Sequence, residues 1–145
     1  MKLFYLVTLI LGLASTPASS DESLIPLDRY LKTVGQESYV FKRCSALYFN
    51  IISYGGDNLE KSVASGYNSA AMTFLKASFG VDMQNNLGEA DYVFKLITKQ
   101  IESISKIYRK RMDNNYLREG QAMGNDDLIK NDLLICKEIS NAFPK

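Results

Sequence analysis

The chain has no histidine among its 145 residues and two cysteines in all, and its charges nearly cancel. Each shortage excludes something. Without histidine there is no side chain whose ordinary pKa lies near neutrality, and no customary base for a catalytic cysteine or serine. Two thiolates alone fall short of the four ligands of a structural zinc site. The cysteines are far apart, so the C-x-x-C of a thioredoxin-like motif is absent. A carboxylate-bridged di-metal bundle wants Glu-x-x-His pairs, which cannot occur here. No P-loop, dinucleotide fingerprint, G-x-S-x-G elbow, c-type haem site or EF-hand spacing is present. "NDDLIKND" has three aspartates, but not at calcium-loop intervals. The sequence therefore predicts no metal and no cofactor. With 17 basic and 16 acidic residues, it also lacks the charge excess that draws a protein to nucleic acid or to an anionic membrane surface.

The beginning of the chain addresses its destination. "MKLFYLVTLILGLASTPASS" places Lys2 before an apolar stretch, Leu3 to Leu13, interrupted by Thr8 and Gly12. The small residues Ala14, Ser15, Thr16, Ala18, Ser19 and Ser20 follow. This order of charge, short apolar core and small residues is that of a secretory signal peptide, with cleavage expected after Ala18 or Ser20. The core is too short for a bilayer, which takes about 20 residues. No cysteine follows it to carry a lipid. Residues 1–20 are therefore expected to be a signal peptide and 21–145 a single domain, periplasmic or secreted, with no membrane span after cleavage. Lys2 is the only charge in the leader, so the mature chain would carry 16 charges of each sign.

Export decides how Cys44 and Cys136 are read. In an oxidising compartment an even cysteine count is usually paired, and two cysteines allow one intramolecular connectivity. The alternatives are intermolecular pairing or free thiols. Periodicity supports the internal bond. Val40, Cys44, Leu47 and Ile51 recur at helical intervals, as do Ile129, Leu133, Cys136, Ile139 or Ser140, and Phe143. Both cysteines therefore sit on apolar helical faces, as a cross-core staple requires.

The remainder also reads as helices. A short first helix is expected from about Pro26. The second runs from about Gln36 to Gly55-Gly56, where paired glycines stop it. Asp57 or Asn58 would cap a third ending at Gly80, with Leu59, Val63, Ala70, Phe74 and Phe79 inward. Its small residues, Gly66 among them, suggest close approach of another helix rather than a hinge. "VDMQNNLG" reads as a connection. The clearest helix spans about Glu89 to Met112, with Val93, Leu96, Ile97, Ile101, Ile104 and Tyr108 inward. Its acids come first and Lys106, Arg109, Lys110 and Arg111 last, matching the helix dipole. "DNNYLREGQAMGND" reads as a loop or short helix, and Asp126 or Asn125 would cap a final helix reaching about Phe143. The expectation is all-α: a four-to-five-helix, bundle-like domain with one disulfide.

Two resemblances bear on function. Glu37-Ser38, at a helix start, is similar to the Glu-Ser pair of lytic transglycosylases, and that likeness implies a peptidoglycan-cleaving enzyme with Glu37 as general acid. The glycine-rich stretch with Met-Gln that those enzymes carry soon afterwards is missing here. Arg43 to Tyr48, "RCSALY", with a second cysteine late in the chain, loosely resembles a group of small exported bacterial or phage-encoded helical proteins of unassigned function. That likeness implies export, helices and a disulfide, and no activity. Tyrosine is plentiful, and Tyr48, Tyr54 and Tyr67 are candidate binding aromatics for glycan or peptide. Together these features predict a non-enzymatic binding or accessory protein of the cell envelope or exterior, whose partner is a protein or an envelope glycan. The envelope-polymer enzyme is the alternative.

Overall fold

The computed structural model describes residues 24–85 and 88–143, so the signal peptide expected over residues 1–20 lies outside the described residues. Five α-helices follow one another: α1 Leu27–Thr33, α2 Glu37–Gly55, α3 Lys61–Gln84, α4 Ala90–Glu119 and α5 Asp127–Ala142. A single 3₁₀ turn, Gly56–Asn58, separates α2 from α3. No strand occurs among the described residues, and no helix there is long and apolar enough to cross a membrane.

The hub is α2. Residues Val40 to Tyr48 are all buried, polar ones included, because α3, α4 and α5 pack around this helix. A helix surrounded in this way needs apolar residues on most of its circumference, and Val40, Phe41, Cys44, Ala46, Leu47, Tyr48 and Ile51 supply them. Across from it, α4 offers Val93, Ile97, Ile101, Ile104, Tyr108 and Met112, all buried. The two cysteines face each other on α2 and α5, with Cα atoms 5.4 Å apart and sulfurs at disulfide distance. Both are fully buried. Phe143, just past α5, packs on Phe41 and Phe74 at centroid distances of 5.7 and 5.4 Å.

Four features differ from the sequence expectation, each for a tertiary reason. Asp57 and Asn58 cap nothing and lie in the 3₁₀ turn. The third helix begins at Lys61, preceded by Glu60, whose carboxylate accepts the Ser62 hydroxyl at 2.5 Å. Gly80 does not end α3. The helix continues to Gln84 because Asp82, in the added turn, is buried against Lys42 of α2 at 2.6 Å. The inward line of α3 is consequently Ala71, Phe74, Ser78 and Asp82, while Val63 stays 40% exposed. Gly66 faces open space, so close approach does not occur there. It occurs at Ala71, whose carbonyl accepts the Ser45 hydroxyl at 3.0 Å.

The fourth difference is the longest. "DNNYLRE" is helical, and α4 runs to Glu119 rather than Met112. Asparagines are weak helix formers, but Asn115 is buried and donates to the Ala122 carbonyl and the Asp126 carboxylate at 3.1 and 2.8 Å. Gly120 then closes α4 at φ +69°, donating to the Tyr116 carbonyl at 2.8 Å. That left-handed position favours glycine. As expected, Asp126 caps α5, accepting the Ile129 N–H at 3.0 Å.

Candidate functional site

Two polar assemblies inside this fold lie outside the apolar stripes. The first centres on Arg43, which is fully buried beside Cys44. Its guanidinium donates to the Asp132 carboxylate, to the Ile25 carbonyl at 2.6 Å and to the Tyr108 oxygen at 3.2 Å. The Tyr108 hydroxyl donates to the same Asp132 oxygen. The other carboxylate oxygen accepts the Leu27 N–H at 2.8 Å, while Asn131 accepts that of Asp28 at 3.2 Å. The first turn of α1 thus has its free N–H groups satisfied by side chains of α5, more than 100 residues away. Burial opposes the charge on Arg43, but Tyr108 and Asp132 more than restore it, and the guanidinium pKa is raised. Burial and the Asp132 charge push the Tyr108 hydroxyl well above its usual value. All three side chains are fully buried, although Arg43 also reaches the lining of a neighbouring hollow. One residue on the disulfide helix joins the segment before α1 to α4 and α5, and the role is architectural.

The second assembly opens to solvent. Near the start of α2, the end of α3 and the middle of α4, a hollow of about 530 Å³ is lined by Gln36, Glu37, Ser38, Tyr39, Lys42, Asp82, Asn85 and Gln100, among others. Lys42 and Asp82, both buried, form its ion pair. Ser38 is 9% exposed, and its hydroxyl is buried with no hydrogen-bond partner among the described residues. Leaving such a group unmatched costs about 1–3 kcal/mol. A second hollow of about 340 Å³ lies alongside, with Leu24, Ile25, Tyr30, Ile104 and Ile107 in its lining. Tyr39 and Gln100 belong to both linings, so the two adjoin as a groove, polar at one end and, apart from Arg43, Gln100 and Ser103, apolar at the other. Tyr30 and Tyr39 stack obliquely in its wall, centroids 4.7 Å apart.

The sequence-selected residues are distributed as follows. Cys44 and Cys136 meet. Tyr48 is buried against Tyr67 and Phe74, with centroids at 5.3 and 5.8 Å, and burial pushes its hydroxyl up to about 12. Tyr54 stands apart from them, 5.0 Å beneath the Arg109 guanidinium and beside Tyr116. The tyrosines of the groove are instead Tyr30 and Tyr39. Glu37 opens α2, exposed, on the border of the polar hollow. The basic run of α4 lies in mid-helix rather than at its end. Arg111 donates to Asp126 at 2.5 Å, and Arg109 donates to the Ser53 hydroxyl. Among the described residues, no cluster of three carboxylates or thiols is placed to hold a metal ion.

Ser38 and Lys42, four apart on a helix, could have been read as sharing a face. Nothing in the sequence marks Asp82 or Gln100 as their neighbours. Comparison with known proteins returned no matching family model, no matching curated protein and no matching solved structure.

Proposed function

We propose that this chain is an exported, non-enzymatic binding protein of the cell envelope or exterior, and that it holds its ligand in the groove between α2, α3 and α4. The observation that carries the reading is the shared wall of Tyr39 and Gln100, which joins a polar hollow to an apolar one. Sites of about 300–1,000 Å³ with a few converging polar groups on an otherwise apolar lining are the common form of small-ligand pockets. The leader-like residues 1–20 and the Cys44–Cys136 pair support export. An enzyme using Glu37 as general acid would need that carboxyl desolvated to keep its proton near neutrality, and its exposure weighs against this.

Isotope-labelled protein titrated with sugars, short peptides, amino acids and nucleosides tests the reading. Amide shifts confined to Ser38–Lys42, Asp82 and Gln100 are expected for at least one class. If every class leaves those resonances still, the groove is not a binding site.

A further inference from the structure

We infer that the groove is built for a neutral, hydroxyl-rich ligand, a short oligosaccharide spanning both hollows. This deepens the binding reading above and rests on it.

Lys42 and Asp82 neutralise one another at 2.6 Å. An incoming cation would therefore compete with Lys42 for the carboxylate. An incoming anion would meet Asp82 and, on the border, Glu37. At the other end Arg43 is already paired with Asp132, so neither sign of charge meets an uncompensated partner. What remains attractive is a group that donates and accepts at once. A sugar hydroxyl can accept an unused Lys42 N–H and donate to Asp82 in the same step, because an ammonium carries three donors and a carboxylate about four acceptor sites. Gln36, Asn85 and Gln100 add side-chain amides, each both donor and acceptor. Ser38 adds a buried hydroxyl that lacks a partner among the described residues. A polar lining in which Gln36, Ser38, Tyr39, Asn85 and Gln100 can each donate and accept suits polyols better than ions.

The apolar end supplies the complementary half. The C–H face of a pyranose ring is apolar and flat, and the Tyr30–Tyr39 pair offers ring surface for it. Ile104 and Ile107 back that surface. Tyr39 and Gln100 line both hollows, so a ligand contacting both passes these two side chains. A peptide binding by strand addition would need a sheet edge, and the described residues contain no strand.

The test uses the purified protein, followed by amide chemical shifts during titration with maltotriose, cellotriose, chitotriose and mannotriose. Glutamate, inorganic phosphate and spermidine serve as charged probes. Saturable shifts at Ser38–Lys42 and Gln100 are expected from at least one trisaccharide and from none of the charged probes. Gln100 is exposed on α4, so Gln100→Ala should leave the melting temperature within about 2 °C while weakening that trisaccharide at least tenfold, equivalent to about 1.4 kcal/mol. Groove shifts from the charged probes with none from trisaccharides would overturn the sugar assignment and keep the binding reading. Silence from every probe would overturn both. Trisaccharide binding that Gln100→Ala leaves unchanged would place the sugar elsewhere and refute the inference.

Discussion

Replacing Asp132 with leucine probes the centre of this fold. The carboxylate is fully buried and receives hydrogen bonds from Arg43, Tyr108 and the Leu27 N–H. Leucine has the same branched skeleton but larger methyl ends, so no cavity forms; some overpacking adds to the cost, which comes chiefly from the donors left behind. Breaking a buried ion pair by removing one partner costs about 3–5 kcal/mol, since the other charge remains in a low-dielectric interior. For a domain whose whole stability is of the order of 5–15 kcal/mol, that is a large fraction. In urea, with a slope of about 2 kcal/mol/M, a loss of about 4 kcal/mol moves the midpoint by about 2 M. The same change made in an Arg43→Met, Tyr108→Phe background should behave differently. There the carboxylate is itself a stranded buried charge, and removing it should cost under about 1 kcal/mol. Urea unfolding followed by helical circular dichroism, arranged as a double-mutant cycle, measures the difference. If Asp132→Leu costs less than about 1 kcal/mol alone, or costs the same in both backgrounds, the Arg43 cluster does not hold the helices together as argued.

Four further outcomes are expected. The Cys44→Ala, Cys136→Ala double variant should lose up to about 4–5 kcal/mol, the chain-entropy figure for a loop of this length, given the sequence separation of 92; unreduced protein should show no free thiol even after unfolding. Ile97→Ala and Ile104→Ala, both at buried sites, should each cost about 2–4 kcal/mol in the same urea assay, and a loss under about 0.5 kcal/mol at both would mean that this helix face is not the core. Burial tends to raise the Asp126 pKa, but bonds from Arg111, Ile129 and Asn115 outweigh it and hold the carboxyl below its usual value. Its contribution is therefore full above the unfolded carboxylate pKa of about 3.9 and fades as pH falls through the lower folded value. Asp126→Asn should flatten stability against pH below about 4, and an unchanged acid limb would contradict this assignment. Finally, Glu37→Gln should cost about 0.3–1 kcal/mol through the helix dipole, with no muropeptides released from peptidoglycan by either form; release by the wild type alone would revive the enzymatic alternative.

The helical class, the inward stripes of α2 and α4 and the facing of Cys44 and Cys136 were legible in the sequence. Each rests on a 3.6-residue repeat of apolar side chains, which is local information. Val40, Cys44, Leu47 and Ile51 are all buried, as are Val93, Ile97, Ile101, Ile104 and Tyr108. The Asp126 cap, also local, was legible too; where a charged residue was buried against a distant partner, local reasoning failed. Arg43 and Asp132 are 89 residues apart and Lys42 and Asp82 are 40 apart. A lone charge reads as surface, because burying it is prohibitive without a counter-charge, and only the packed helices supply that counter-charge. Asp132 sits at helical spacing between Ile129 and Cys136, yet Leu133 looked the better core residue. Gly80 read as a helix end until Asp82 docked beyond it. The groove is hidden for the same reason. Tyr39 and Gln100 belong to different helices, and their adjacency exists only once α2 and α4 have packed.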